Sequence, residues 1–131
     1  MALMKSDSYY EKVCTAGVVL RSTGKTSGQL HTYVKKKVVI PAVDQYTGFY
    51  LYSPEDIDKI KFAAYCQEEL NFKIDSLAYL MAFLREVMPD YSWADMIDIL
   101  DSTAKIVDAI QPVESNIKDI RKQQIGSFRR K

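Results

Sequence analysis

The stretch from Thr23 to Tyr52, TGKTSGQLHTYVKKKVVIPAVDQYTGFYLY, constrains the fold most, because it reads as a short helix followed by a compact hairpin. Thr23, Gly24 and Lys25 make a turn, and Thr26 or Ser27 can cap the next helix by accepting a bond from a free backbone N–H. The spacing predicts that this helix runs to about Lys37. Leu30, Tyr33 and Val34 fall at i, i+3 and i+4 and bury one stripe, which leaves Ser27, Gln29, His31, Thr32, Lys35 and Lys36 on or near the other face. Downstream, Val38-Val39-Ile40 and Phe49-Tyr50-Leu51-Tyr52 are rich in β-branched and aromatic residues. Pro41, Asp44 and the pair Thr47-Gly48 lie between them, which is a hairpin signal.

Polar, hydrogen-bonding side chains on an exposed helix are what reading a major groove requires. A helix-turn-helix followed by a hairpin is a winged helix, and the run resembles the N-terminal DNA-binding domain of the MerR family of bacterial transcription regulators. The family turn, threonine-glycine-x-serine, is similar to Thr23-Gly24-Lys25-Thr26, and its leucine-arginine-tyrosine-tyrosine to Leu30-His31-Thr32-Tyr33. Its wing and the acidic helix start after it are similar to Gly48-Phe49-Tyr50-Leu51-Tyr52-Ser53 and Glu55-Asp56. The resemblance covers roughly residues 13 to 85. Where the family has arginines at the recognition helix and the wing, this chain has His31 and Tyr50. The resemblance implies a mostly α fold: a winged helix-turn-helix with a two-stranded wing and a C-terminal dimerisation helix.

The net charge of +1 conceals a strong division along the chain. From Lys12 to Val43 there are six cationic residues, Lys12, Arg21, Lys25, Lys35, Lys36 and Lys37, and no acidic one. Twelve acidic residues against four basic ones follow between Asp44 and Asp101, and the last thirty residues carry seven basic and three acidic. A basic segment that coincides with the proposed recognition unit is the footprint of a nucleic-acid binder. The apolar share of 47% suits a globular chain, and no apolar run reaches the length needed to span a membrane.

Around the recognition unit, Glu11 to Arg21 is expected to form a first helix, with Val13, Ala16, Gly17 and Leu20 against the core. Val18-Val19 could equally begin a strand. Ser53-Pro54-Glu55-Asp56 is a strong helix start, with a serine cap, proline in the first turn and acids at the positive end of the dipole. Ile57, Ile60, the stem of Lys61 and Ala64 give its stripe, to near Cys66 or Glu69. After a break at Asn71-Phe72-Lys73, Ile74 to Val87 forms a helix that buries Leu77, Leu80, Met81 and Leu84. Met88-Pro89-Asp90 ends it, and Ser92 with Asp95 resembles a capping box. Trp93, Met96 or Ile97, Leu100, Ala104, Val107 and Ile110 recur at helical steps until Pro112. Val113, Ile117 and Ile120 continue the spacing. The expected organisation is a flexible tail (1–10), the winged-helix domain (11–87), a helical arm (88–125) and a basic tail (126–131).

Other chemistries fail on residue counts. Ser22 to Thr26 contains the Gly-Lys-Thr of a phosphate-binding loop, but Val19 stands where its first glycine is required. His31 is the only histidine, so neither a catalytic triad nor a histidine metal cluster can be assembled. Cys14 and Cys66 are isolated and read as reduced, mostly buried thiols. Glu68, Glu69, Asp95, Asp98 and Asp101 read most simply as a solvated face. Metal-sensing members of the resembling family carry cysteines at the end of the dimer helix, and drug or cobalamin sensors carry a further domain. Neither feature is present in this sequence, so a ligand-free architectural or repressor-like role is expected, without cofactor or metal.

The expected DNA contacts are Lys25, Thr26, Ser27, Gln29, His31, Thr32, Tyr33, Lys35, Lys36, Lys37, Tyr50 and Tyr52, with Gln29 or Thr32 reading a base edge. The expected dimer contacts are Trp93, Ile97, Leu100, Ala104, Val107 and Ile110, and the expected setting is a bacterial, plasmid or phage cytoplasm, at the nucleoid. The partners would be double-stranded DNA and a second copy of the chain. The alternative reading is a protein-interaction module that keeps the fold without the DNA contacts.

Overall fold

A computed structural model describes residues 7–106. The expectations for residues 1–6, Val107, Ile110, Pro112, Val113, Ile117, Ile120 and the basic tail lie outside the described residues. Within 7–106 the chain is a mostly helical winged helix-turn-helix with one two-stranded antiparallel sheet.

Helix α1 (Ala16–Thr23) begins where Thr15, in an extended conformation, accepts a bond from the Val18 N–H. It starts later than its spacing suggested. Cys14 and Tyr52 exchange two backbone bonds of 2.7 and 2.8 Å, so residues just before α1 are recruited to the wing as an extended segment. Val13 is consequently exposed, and Val19 rather than Ala16 or Gly17 is fully buried. Gly24 ends the helix with φ 71°, a left-handed cap whose N–H donates to the Leu20 carbonyl. The expected start of the chain as a tail is also corrected in part. Residues Asp7–Tyr9 form a 3-10 turn, and the Tyr9 hydroxyl donates to Asp58 at 2.6 Å. Burial, then that carboxylate, hold the Tyr9 phenol far above its usual pKa.

Helix α2 (Ser27–Lys35) opens on a complete capping box: Thr26 accepts from the Gln29 N–H, and the Gln29 side chain accepts from the Thr26 N–H. Leu30 and Tyr33 are its buried residues. It stops before Lys37, which takes φ 63°, and the Val38 N–H folds back to the Tyr33 carbonyl at 2.9 Å. This reversal drives Val38 and Val39 into the core, so they form no strand. The wing instead pairs β1 (Ala42–Val43) with β2 (Tyr50–Leu51), with Ala42 opposite Leu51 and Val43 opposite Tyr50. Gly48, at φ 75°, closes the loop by donating to the Asp44 carbonyl.

Helix α3 (Pro54–Glu69) starts at the predicted cap, but its capping box is buried. Ser53 Oγ accepts from the Asp56 N–H, and Asp56 Oδ2 accepts from the Ser53 N–H at 2.9 Å and from Lys12 Nζ at 2.5 Å. The same ammonium donates to the Ile40 carbonyl. Ile60, Phe62, Ala63 and Cys66 are the buried residues of α3, so Phe62 and Ala63 take the place expected of Lys61 and Ala64. The buried stripe is rotated because α3 is covered by α1 and α4 together. Burial pushes the Cys66 thiol up to about 11, which keeps it protonated and inert at neutral pH.

Asn71, with φ 58°, turns the chain into α4 (Ile74–Val87), whose ends match the predicted ones and whose buried residues are Leu77 and Met81. Ser92 and Asp95 form the expected reciprocal cap, at 3.0 and 3.2 Å, and helical residues 93–106 follow as α5. The described residues divide into two compact units after Ile97, beyond the expected end at Val87. Trp93, expected on the arm's dimer contact, is 1% exposed and belongs to the first unit. Its ring lies 5.1 Å from Phe62, the Arg85 guanidinium stacks 4.5 Å over it, and its indole N–H points at Glu55 at 3.4 Å. The correction has a simple physical reason: α3 and α4 leave an aromatic slot that a single helix pair cannot close. In the second unit, Thr103 donates to the Ile99 carbonyl and Lys105 pairs with Asp101.

Two outcomes are expected of this core. Asp56→Ala removes a helix cap and the partner of Lys12 together, and denaturant unfolding is expected to show a loss of about 2–4 kcal/mol. Trp93→Ala is expected to cost about 3–5 kcal/mol by the same measurement. Sedimentation of its folded fraction should show the parent's oligomeric state, since Trp93 serves its own unit.

Candidate nucleic-acid interface

The outward edge of α2 carries Ser27, Gln29, His31 and Lys35, all exposed, with Thr26 exposed at its cap. The capping box restricts what Gln29 can do. Its Oε1 already accepts from the Thr26 N–H at 2.9 Å and from the Thr26 hydroxyl at 3.3 Å, which leaves its NH2 as the end not engaged in the cap. A two-point contact to adenine needs both ends of the amide, and this arrangement offers one. Thr32 is half-buried and its hydroxyl donates to the Gly28 carbonyl at 3.0 Å.

Two of the expected contact residues lie in the core. Tyr33 is 4% exposed and donates its phenol to Gln67 at 2.7 Å; Tyr52 is 2% exposed beneath the wing. Burial raises the pKa of both phenols. Each ring fills space where α2 or the wing meets the rest of the domain, which withdraws it from the surface. Tyr50 is different: about half exposed, it lines a cleft of about 150 Å³ with Ser27, Leu30 and His31. The wing and the start of α2 therefore share one continuous surface.

The basic segment is partly neutralised from within. Lys12 pairs with Asp56, Lys25 with Glu68 at 2.6 Å, and Lys36 with Asp75 at 2.5 Å. The Lys36 ammonium holds the exposed Asp75 carboxyl below its usual pKa. Glu68, expected on a solvated face, is thus a counter-charge. Of the cations in this segment, Arg21, Lys35 and Lys37 remain exposed without an ion pair among the described residues. Arg21 was absent from the sequence-based set of contacts. Its guanidinium folds back along α1, and a Cβ at Gly17 would lie 3.5 Å from its Nη1. The i, i+4 spacing of a glycine and an arginine on α1 was the available signal.

The wing carries no cation at all, because no Lys or Arg occurs between Lys37 and Lys59. It exposes Tyr46, Phe49, Val43 and Ile40 instead. Among the described residues there is no group of three or more potential metal ligands, and no helix is long and apolar enough to cross a membrane.

No match to a curated protein was found. The sequence does match the family described as MerR HTH family regulatory protein over residues 14–84, just over half of the chain and the part that holds α1, α2, the wing, α3 and most of α4. That family consists of transcription regulators that bind double-stranded DNA. The chain belongs to the MerR helix-turn-helix family of DNA-binding transcription regulators.

Proposed function

We propose that this protein is a sequence-specific regulator or architectural protein of double-stranded DNA, acting at the nucleoid as a homodimer. The observation that carries this reading is the exposed polar edge of α2, Ser27, Gln29 and His31, bordered by cations that no internal carboxylate neutralises. In this proposal α2 enters the major groove, Gln29 donates its NH2 to an acceptor on a base edge, and Lys35, Lys37 and Arg21 meet phosphates. Thr26, Ser27, His31 and Thr32 complete the groove face. Lys25 and Lys36 contribute less, because DNA must first draw them from Glu68 and Asp75.

A second reading, a protein-interaction module, is favoured by one observation: His31 and Tyr50 stand where the family places arginines. The two readings separate in a salt titration of binding to random duplex DNA. Phosphate contacts release condensed counterions and give a steep salt dependence, whereas the interaction module has no such binding.

For the pair Lys35→Ala and Lys37→Ala, the slope of log affinity against log salt is expected to flatten by about 2. Lys25→Ala is expected to change it far less. Equal effects of the two variants would show that the internal ion pairs do not govern which lysines meet DNA.

The homodimer is proposed through the arm beyond the division at Ile97. Leu100 and Ala104 are partly covered there, and Ile99 and Ile106 are 41% and 63% exposed on the same helix. An apolar stripe at that spacing is the pattern of a helix that pairs with another. Leu100→Asp is expected to give folded monomers with at least about ten-fold weaker DNA binding, since one half-site is read in place of two. Sedimentation of the parent as a monomer at micromolar concentration would remove the dimer from the proposal.

A further inference from the structure

The wing presents the least expected surface of the molecule. Tyr46 is 97% exposed, Phe49 72%, Val43 59% and Tyr50 48%, all on or beside one short hairpin. Aromatic rings this exposed present a large area of apolar surface to water, and several of them on one hairpin mark a surface suited to being covered. The hairpin that holds them is well tied. Asp44 donates its N–H to the Phe49 carbonyl and accepts from Gly48 at 2.8 Å each, while its Oδ1 accepts from the Tyr46 N–H at 2.9 Å. Thr47 Oγ1 accepts from the Phe49 N–H. The rings are thus carried on a braced support.

What the patch can cover is narrowed by its place and its charge. Tyr50 shares one cleft with Ser27 and His31 of α2, and Phe49 and Tyr50 line a second cleft of about 430 Å³ with Thr15, Ala16 and Gly17 of α1. Gly17 lines that second cleft, and a Cβ placed on it would lie 3.5 Å from the Arg21 Nη1. Tyr50 therefore borders the polar edge of α2, and Phe49 and Tyr50 border the start of α1, the helix that carries a cation able to hold a phosphate. With no Lys or Arg of its own, the wing cannot clamp the backbone by charge. Rings that meet DNA without charge do so by packing on sugars or by entering between base steps.

We propose that the wing is an apolar wedge: while α2 occupies the major groove, Phe49 and Tyr46 enter the adjacent minor groove and partly unstack a base step, with Arg21 holding a neighbouring phosphate. This rests on the reading of α2 as the groove-facing helix and specifies how the same interface selects its DNA. Unstacking costs least at flexible pyrimidine–purine steps, so the wing discriminates by deformability and not by hydrogen bonds.

The test uses the full chain and a duplex that it selects from a random pool, with 2-aminopurine placed at each adenine in turn. Phe49→Ala and Tyr46→Ala alter exposed side chains, so both variants should fold like the parent. The parent is expected to raise 2-aminopurine emission at one flanking step, and Phe49→Ala is expected to abolish the rise. Affinity should fall about ten-fold, within the range for loss of a ring–base stack, while the salt slope stays unchanged. A flattened salt slope in Phe49→Ala would overturn the wedge, since the wing would then act through phosphates. Unchanged affinity and emission in both variants would also overturn it and assign the patch to a protein partner, with the groove-facing role of α2 left standing. If the parent binds no duplex at all, the reading of α2 fails and the wedge falls with it.

Discussion

A carboxylate with no exposure to water holds the reading head together. Asp56 closes the cap of α3 by accepting from the Ser53 N–H, and it draws the Lys12 ammonium inward until that group also reaches the Ile40 carbonyl. Three parts of the chain meet there: the segment before α1, the approach to β1 and the start of α3. A buried carboxylate is tolerated only when partners replace its water, and here Oδ2 has two donors while Oδ1 has none among the described residues. Lys12 is 32% exposed, so the pair is neutralised at the edge of the interior and not in its depth. The backbone bridge between Cys14 and Tyr52 lies next to this node and inherits its position. The wing is thereby tied to the helix that precedes the recognition helix.

Internal ion pairing also changes how the charge of this protein should be counted. Three of the six cations in the basic segment face Asp56, Glu68 and Asp75, all supplied by the acidic half of the chain. Exposed pairs such as Lys36–Asp75 are worth little to stability. Their consequence is electrostatic, because each lowers the charge presented to a phosphate backbone. The described surface of the basic segment thus keeps Arg21, Lys35 and Lys37 as cations without an ion pair, and the wing has none.

Trp93 marks the end of the reading head. Its indole is held between Phe62 and the Arg85 guanidinium, and Glu55 receives both Arg85 and the indole N–H. An aromatic ring stacked beneath a guanidinium and pressed on another ring gains packing, cation–π and hydrogen-bond energy together. The first turn of α5 therefore belongs to the core of the domain that it leaves. The exposed large apolar residues described on α5, Ile99 and Ile106, lie after Ile97.

Much of this architecture was legible in residue order. The caps at Thr26, Ser53 and Ser92, the turn at Gly24, the break at Asn71 and the bounds of α4 are local signals, set by hydrogen bonds that reach three or four residues along the chain. The sequence by itself therefore determined the order of helices and hairpin, the starts of α2 and α5, the bounds of α3 and α4, and the family motif from the helix-turn-helix through the wing. Tertiary structure decided the rest. Which of Val13 and Val19 is buried, that Val38 and Val39 enter the core instead of a strand, that Tyr33 and Tyr52 leave the DNA surface, and that Trp93 turns inward all depend on neighbours distant in sequence. The same holds for which lysines stay available, since Lys25 meets Glu68 and Lys36 meets Asp75 only after α3 and α4 have packed. Periodicity reports that a residue has an apolar or a charged face, but the partner across the interface settles whether that face is covered, paired or left to bind.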